Sequence, residues 1–155
     1  MRGAAGMALM AAMAAALTTA TVAFAGVQDA TSAAPAAARS VWDGVFTEAQ
    51  AARGQERYRT SCGTCHADDL LGANGPALVG QEFLERWNGT TVLDMVQTIK
   101  RSMPLEAPDS LGVAAYVDIV TFLLKSNGSP TGVSELPTDD VALRQVLVTS
   151  HGPRR

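Results

Sequence analysis

The chain has 155 residues, of which 47% are hydrophobic, with 12 Lys and Arg against 15 Asp and Glu. That length holds one domain with flanking segments rather than two. The small acidic excess, with no basic stripe, excludes partners such as nucleic acid or an anionic membrane surface, whose phosphates must be offset by cationic side chains.

Residues 1–25 read as an export signal: Arg2 supplies positive charge, an alanine-rich apolar run follows, and Ala23-Phe24-Ala25 gives the small-x-small cleavage pattern. The alternative is an uncleaved membrane anchor, since the run approaches spanning length, but its alanines and threonines make it weakly hydrophobic. Cleavage removes Arg2 from the 12 basic residues and leaves 11 against 15 acidic, a net charge of −4. Such a chain suits a protein partner with a basic patch, and after cleavage it has no membrane span.

Residues 26–44 open as an Ala/Ser/Thr-rich flexible leader, with order expected to begin near Val41 in the stretch VWDGVF. Thr47 with Gln50 fits a capping box at the start of TEAQAARGQERYRTSC, where Ala51, Gly54 and Tyr58 fall on one helical face. Gly54 costs such a helix about 1 kcal/mol against alanine, and close approach of another helix is the reason to keep it. Residues 67–82 hold three glycines and a proline and read as a loop. A short helical turn is expected around 83–87. An amphipathic helix follows from Thr90/Thr91 to Arg101, with Val92, Met95, Val96 and Ile99 on its apolar side.

SMPLEAPDS, residues 102–110, is irregular. Ser110 is expected to cap a last long helix whose buried stripe is Val113, Tyr116, Ile119, Val120, Leu123 and Leu124, ended by Asn127-Gly128. Residues 129–155 form a C-terminal extension with a short ordered piece around 141–148. No stretch shows persuasive strand alternation, so the fold class is all-α: three or four short helices joined by long loops. The core of such a domain is modest, and a further group is expected to fill its middle.

Both cysteines of the chain, Cys62 and Cys65, lie in SCGTCHADD with His66 directly behind. A bridge between them closes too small a loop to constrain the unfolded chain. Structural zinc needs four ligands, and the only other histidine is His151 in the tail. A thiol–disulfide pair of the thioredoxin type sits at a helix N-terminus in a βαβ setting, whereas here a helix runs into the motif and strands are missing. Covalent haem attachment needs only C-x-x-C-H: the two thiols add across the porphyrin vinyl groups, Gly63 and Thr64 let the chain turn between them, and His66 becomes an axial iron ligand. Export fits this reading as well.

At this point residues 45–128 resemble a class I c-type cytochrome domain with a single haem. The resemblance rests on Gly54 and Tyr58 before the motif, on CGTCH, on NGPAL (Asn74 to Leu78), on SMP (Ser102 to Pro104) and on DIVTFLLK. It implies a cytochrome c-like fold wrapped around one haem c bound through Cys62 and Cys65. It also implies that the carbonyl of Pro76 accepts from His66 Nδ1–H, that Leu78 packs on the haem, and that Gly54 and Tyr58 meet the last helix at Ile119, Phe122 and Leu123. Trp87 is expected either to give its indole N–H to a haem propionate or simply to pack in the core. For the sixth ligand, Met95 belongs to a helical packing stripe and His151 to the tail, which leaves Met103, in an irregular loop and matching the family's Met-Pro pattern.

Ligation by His66 and Met103 implies outer-sphere, one-electron transfer by a periplasmic carrier between redox proteins, with a dehydrogenase, an oxidase or another cytochrome as partner, and no enzyme activity of its own. A haem enzyme or gas sensor with an open sixth iron site is the alternative. The acidic pair Asp68-Asp69 reads as a solvated turn before a docking feature.

Overall fold

The computed structural model describes residues 38–152. The expected export signal, and the leader as far as residue 37, lie outside the described residues. In chain order the elements are β1 (Arg39–Ser40), α1 (Glu48–Ser61), α2 (Gly63–His66), α3 (Gln81–Trp87), α4 (Val92–Ser102), α5 (Val113–Ser126), α6 (Asp140–Arg144) and β2 (Val146–Leu147). The architecture is helical with long connections, as expected of a cytochrome c-like all-α fold, but with six short helices among the described residues where three or four were expected and one two-residue strand pair where none was. Among the described residues no helix is long and apolar enough to cross a membrane.

The helix starts follow local chemistry, with two corrections. Thr47 accepts the backbone N–H of Gln50 at 3.1 Å, but the Gln50 side chain does not complete the expected box. Gln50 is buried and bonds Leu136 instead, accepting from its N–H at 2.9 Å and donating to its carbonyl at 3.0 Å. A full reciprocal capping box does form at α4, where Thr91 caps the Asp94 N–H and the Asp94 carboxylate accepts from both the backbone N–H and the hydroxyl of Thr91. Ser110 does not cap α5. Gly112, at φ +74°, holds the N-cap position without a side-chain bond, so Val113 falls on the first turn and is 41% exposed rather than buried.

The other five residues of the predicted α5 stripe are buried, and burial runs unbroken from Ala115 to Leu124. A helix covered on all sides must be met closely by its neighbours. Gly54 makes the closest approach: a Cβ there would lie 1.9 Å from the Asp118 carbonyl oxygen and 3.0 Å from Phe122 Cβ. One turn on, the Tyr58 and Phe122 rings meet at 5.3 Å between centroids. The Asp118 carboxylate is buried at this crossing and is met by Arg53 at 3.2 Å and Arg57 at 3.4 Å, which offsets the desolvation of a charge. Arg53 also holds Glu135 at 2.8 Å, tying the extension to the same pair of helices.

Residues 39–44, placed by the sequence reading in the leader, pair and pack. β1 runs parallel to β2 with Arg39 opposite Val146 and Ser40 opposite Leu147. Trp42 donates its indole N–H to the Thr149 carbonyl at 3.0 Å. Val41, Val45 and Phe46 are buried together with Leu136, Leu143, Val146 and Val148 of the extension. The period-2 pattern needed to read a strand is absent from elements only two residues long.

Two outcomes test this packing. Gly54→Ala puts a methyl against backbone that has nowhere to move, and the holoprotein is expected to lose about 2 kcal/mol in denaturant unfolding although alanine is the better helix former. Thr91 holds the Asp94 carboxylate below the ordinary range by hydrogen bonding. Its depressed pKa means that its contribution is full above about pH 4 and fades as pH falls through the lowered value. Asp94→Ala should therefore cost about 1 kcal/mol at pH 7, with a gap to wild type that closes under acid.

Candidate functional site

The motif turn is made where α1 stops. Cys62 is at once the C-cap of α1 and the N-cap of α2, and Ala67, at φ +62°, ends α2 immediately after His66. The loop after it folds back onto the turn. The Cys65 carbonyl accepts from Gly75 N–H at 2.8 Å and the His66 carbonyl from Gly72 N–H at 3.1 Å. Tyr58 donates its hydroxyl to the Ala67 carbonyl at 2.6 Å. The far end of the loop is pinned by Asn127, whose amide donates to the Leu78 carbonyl at 2.9 Å and accepts from Gly80 N–H at 3.0 Å.

His66 is buried, and its Nδ1 lies 2.8 Å from the Pro76 carbonyl oxygen. A carbonyl can only accept, so Nδ1 carries the proton and Nε2 keeps its lone pair for a metal. Gly75 sits flat against the ring: a Cβ there would come within 2.7 Å of Cε1 and 2.8 Å of Nδ1.

His66, Cys62 and Cys65 share the wall of one cavity of about 1000 Å³, at the upper end of what small-molecule sites enclose. Pro76, Leu78, Trp87 and Met103 line the same cavity, together with Ile119 and Leu123 from α5. The Trp87 indole N–H is buried and has no partner among the described residues. A buried donor left without an acceptor marks a place where a ligand acceptor belongs.

Met103 is the C-cap of α4, and both its backbone polar groups are held: N–H to the Ile99 carbonyl at 2.8 Å, carbonyl to the Tyr116 hydroxyl at 2.8 Å. Met95 is fully buried in the core and is not on the cavity wall. His151 is exposed beside Ser150, at a separate recess with Asn88 and Thr149.

The donor set, the apolar walls and the orphaned indole fit a haem. The other two readings of the motif do not fit. Burial, helped by the neighbouring Cys65, pushes the Cys62 thiol up to about 11, the reverse of the lowered value a thiol nucleophile needs. Among the described residues no three or more Cys, His, Asp or Glu side chains gather as a metal-binding cluster.

Three residues of the site escaped sequence reading. Asn127 was visible only as a helix stop and Tyr116 only as packing. Gly75 had a cue, its place in NGP one step before the carbonyl that His66 meets.

Comparison with known proteins bears on the same stretch. Residues 49–123 match the family model described as cytochrome c oxidase, cbb3-type, subunit III. Cytochrome c-551 of Bacillus subtilis (strain 168) is 36% identical over 61 residues, which cover 39% of this chain and 53% of the relative. The match thus spans about half the length of that curated protein. No solved structure matches.

The Gly75 contact gives a direct test. In Gly75→Ala the imidazole must shift and its bond to Pro76 lengthen. The fraction of exported protein carrying haem, read as pyridine haemochrome absorbance per protein, is expected to fall several-fold below wild type, on the order of the loss that follows when a buried contact overpacks.

Proposed function

We propose that residues 49–123, which match a cytochrome c family model and resemble a cytochrome c-551, form a class I c-type cytochrome domain with one haem c held covalently by Cys62 and Cys65, and that the chain is a one-electron carrier with His66 and Met103 as the two axial ligands. The observation that carries this reading is the His66–Pro76 bond: it commits Nδ1 and leaves Nε2 free in the cavity that Met103 also lines.

The haem, when bound, supplies a one-electron Fe(III)/Fe(II) couple. Everything else falls to the protein. The Pro76 carbonyl orients the His66 ring and strengthens its donation. The soft thioether of Met103 favours the reduced state and raises the potential relative to two nitrogen ligands. Leu78, with Ile119 and Leu123, supplies apolar contact and keeps water out. The Trp87 N–H is suited to a propionate oxygen, which would satisfy a donor that has no partner among the described residues. His66 and Met103 would together hold the iron, leaving no position open to a substrate, which favours a carrier over an enzyme.

The setting follows from the sequence. Residues 1–25 are proposed to direct export, residues 26–44 to form a leader whose last residues join the fold, residues 45–128 to form the haem domain and residues 129–155 to extend it. That organisation supports a periplasmic location for the carrier. Its partners are redox proteins, a dehydrogenase, an oxidase or another cytochrome, approached through complementary charge against a net −4.

The reading is tested by absorption spectra of the matured protein. The ferric form is expected to be low-spin, with the weak red band of sulfur-to-iron charge transfer, and Met103→Ala should abolish that band while leaving haem attached. A high-spin ferric spectrum in wild type, with ready CO binding by the ferrous form, would instead establish an open iron site and a haem enzyme or gas sensor.

A further inference from the structure

Tyr116 was expected only as part of the packing stripe of α5, and its ring is fully buried there. Its hydroxyl nevertheless leaves that stripe and donates to the carbonyl of Met103. The loop that Met103 opens is closed at its other end by Asp109, whose carboxylate pairs with Lys100 at 2.6 Å and whose N–H reaches the Lys100 carbonyl at 2.9 Å. Residues 103–109 are therefore fastened to the core helix at one end and to the last turn of α4 at the other. Between these fastenings the loop has little regular structure, the Ala107–Pro104 backbone bond apart.

We infer that this double clasp, with Tyr116 as its buried member, is a positioning device that sets how firmly Met103 is held on the iron. The inference rests on Met103 being the axial ligand. A thioether is a neutral, weakly held donor, so its hold depends on how little backbone freedom must be lost each time it binds. Fixing both the N–H and the carbonyl of Met103 removes that freedom in advance. Tyr116 itself touches no reacting atom and acts through the Met103 backbone. Because α5 is buried without a break from Ala115 to Leu124, meets α1 at the Gly54 crossing and gives two residues to the cavity wall, the clasp is anchored to a closely packed element.

The test uses the haem-loaded protein and imidazole as the competing ligand. Tyr116→Phe keeps the buried ring and deletes only the donor. Asp109→Asn removes the charge of the second fastening and keeps a residue tolerant of the φ of +62° found there. Loss of one such hydrogen bond is expected to let imidazole bind the ferric protein about tenfold more tightly in Tyr116→Phe, and about threefold in Asp109→Asn. The red band should fade at lower temperature in both, and the reduction potential should fall. A purely structural role would lower the unfolding temperature while leaving imidazole affinity within about twofold of wild type.

If wild type shows the red band, Met103→Ala abolishes it, and neither clasp variant changes imidazole affinity, the clasp is overturned and the axial assignment survives. If wild type lacks the band and Met103→Ala leaves imidazole affinity unchanged, both fall together. Should Tyr116→Phe fail to mature with haem, Asp109→Asn decides alone, and unchanged affinity in it overturns the inference.

Discussion

The crossing of α1 over α5 at Gly54 is the contact on which the remaining structure depends. One helix ends in the Cys-x-x-Cys-His turn, and the other carries the hydroxyl that fastens Met103 and two side chains of the cavity wall. The motif and the first residues of the 103–109 loop line one cavity, and the separation of these helices sets its width. At this point the backbone of α5 lies where any side chain on Gly54 would stand, and the distance is set by contact between main chains, which do not yield. The ion pairs of Arg53 and Arg57 to Asp118 hold the rotation of the same pair by charge and hydrogen bonding.

From that crossing outward, the chain is mostly loop, and loops hold their shape here by borrowing donors from helices. Tyr58 reaches Ala67, Asn127 takes both a donor and an acceptor of the 78–80 segment, and Tyr116 takes Met103. Each bond satisfies a backbone group that regular structure leaves unpaired. The loops cannot be tightened further into a core of their own, because the volume they enclose belongs to the haem. The cofactor thus completes the packing as well as carrying the electron.

The extension is part of this arrangement. Gln50, turned away from its own helix start, gives both ends of its amide to Leu136, 86 positions along the chain. The parallel pairing of Arg39–Ser40 with Val146–Leu147 then joins the beginning of the described fold to its end. Isolated strands this short have little stability, and they persist because Val146 of β2, with Val41 and Trp42 just after β1, joins the hydrophobic core.

Much was legible along the chain. Helical periodicity located the longer helices, the pentapeptide CGTCH pointed to the cofactor, and the reading that kept Met95 in a packing stripe and set Met103 apart in a loop agrees with where the two lie, one in the core and the other on the cavity wall. These are local patterns, readable because cofactor attachment and helix formation depend on residues only a few positions apart. What local pattern could not decide was partnership between distant groups: Gln50 leaving its cap for Leu136, Gly112 displacing Ser110 as the start of α5, Gly75 lying against the imidazole, and the Tyr116 hydroxyl closing on Met103. A polar side chain takes whichever partner burial brings within reach. Reach across such separations is determined only once the helices have packed.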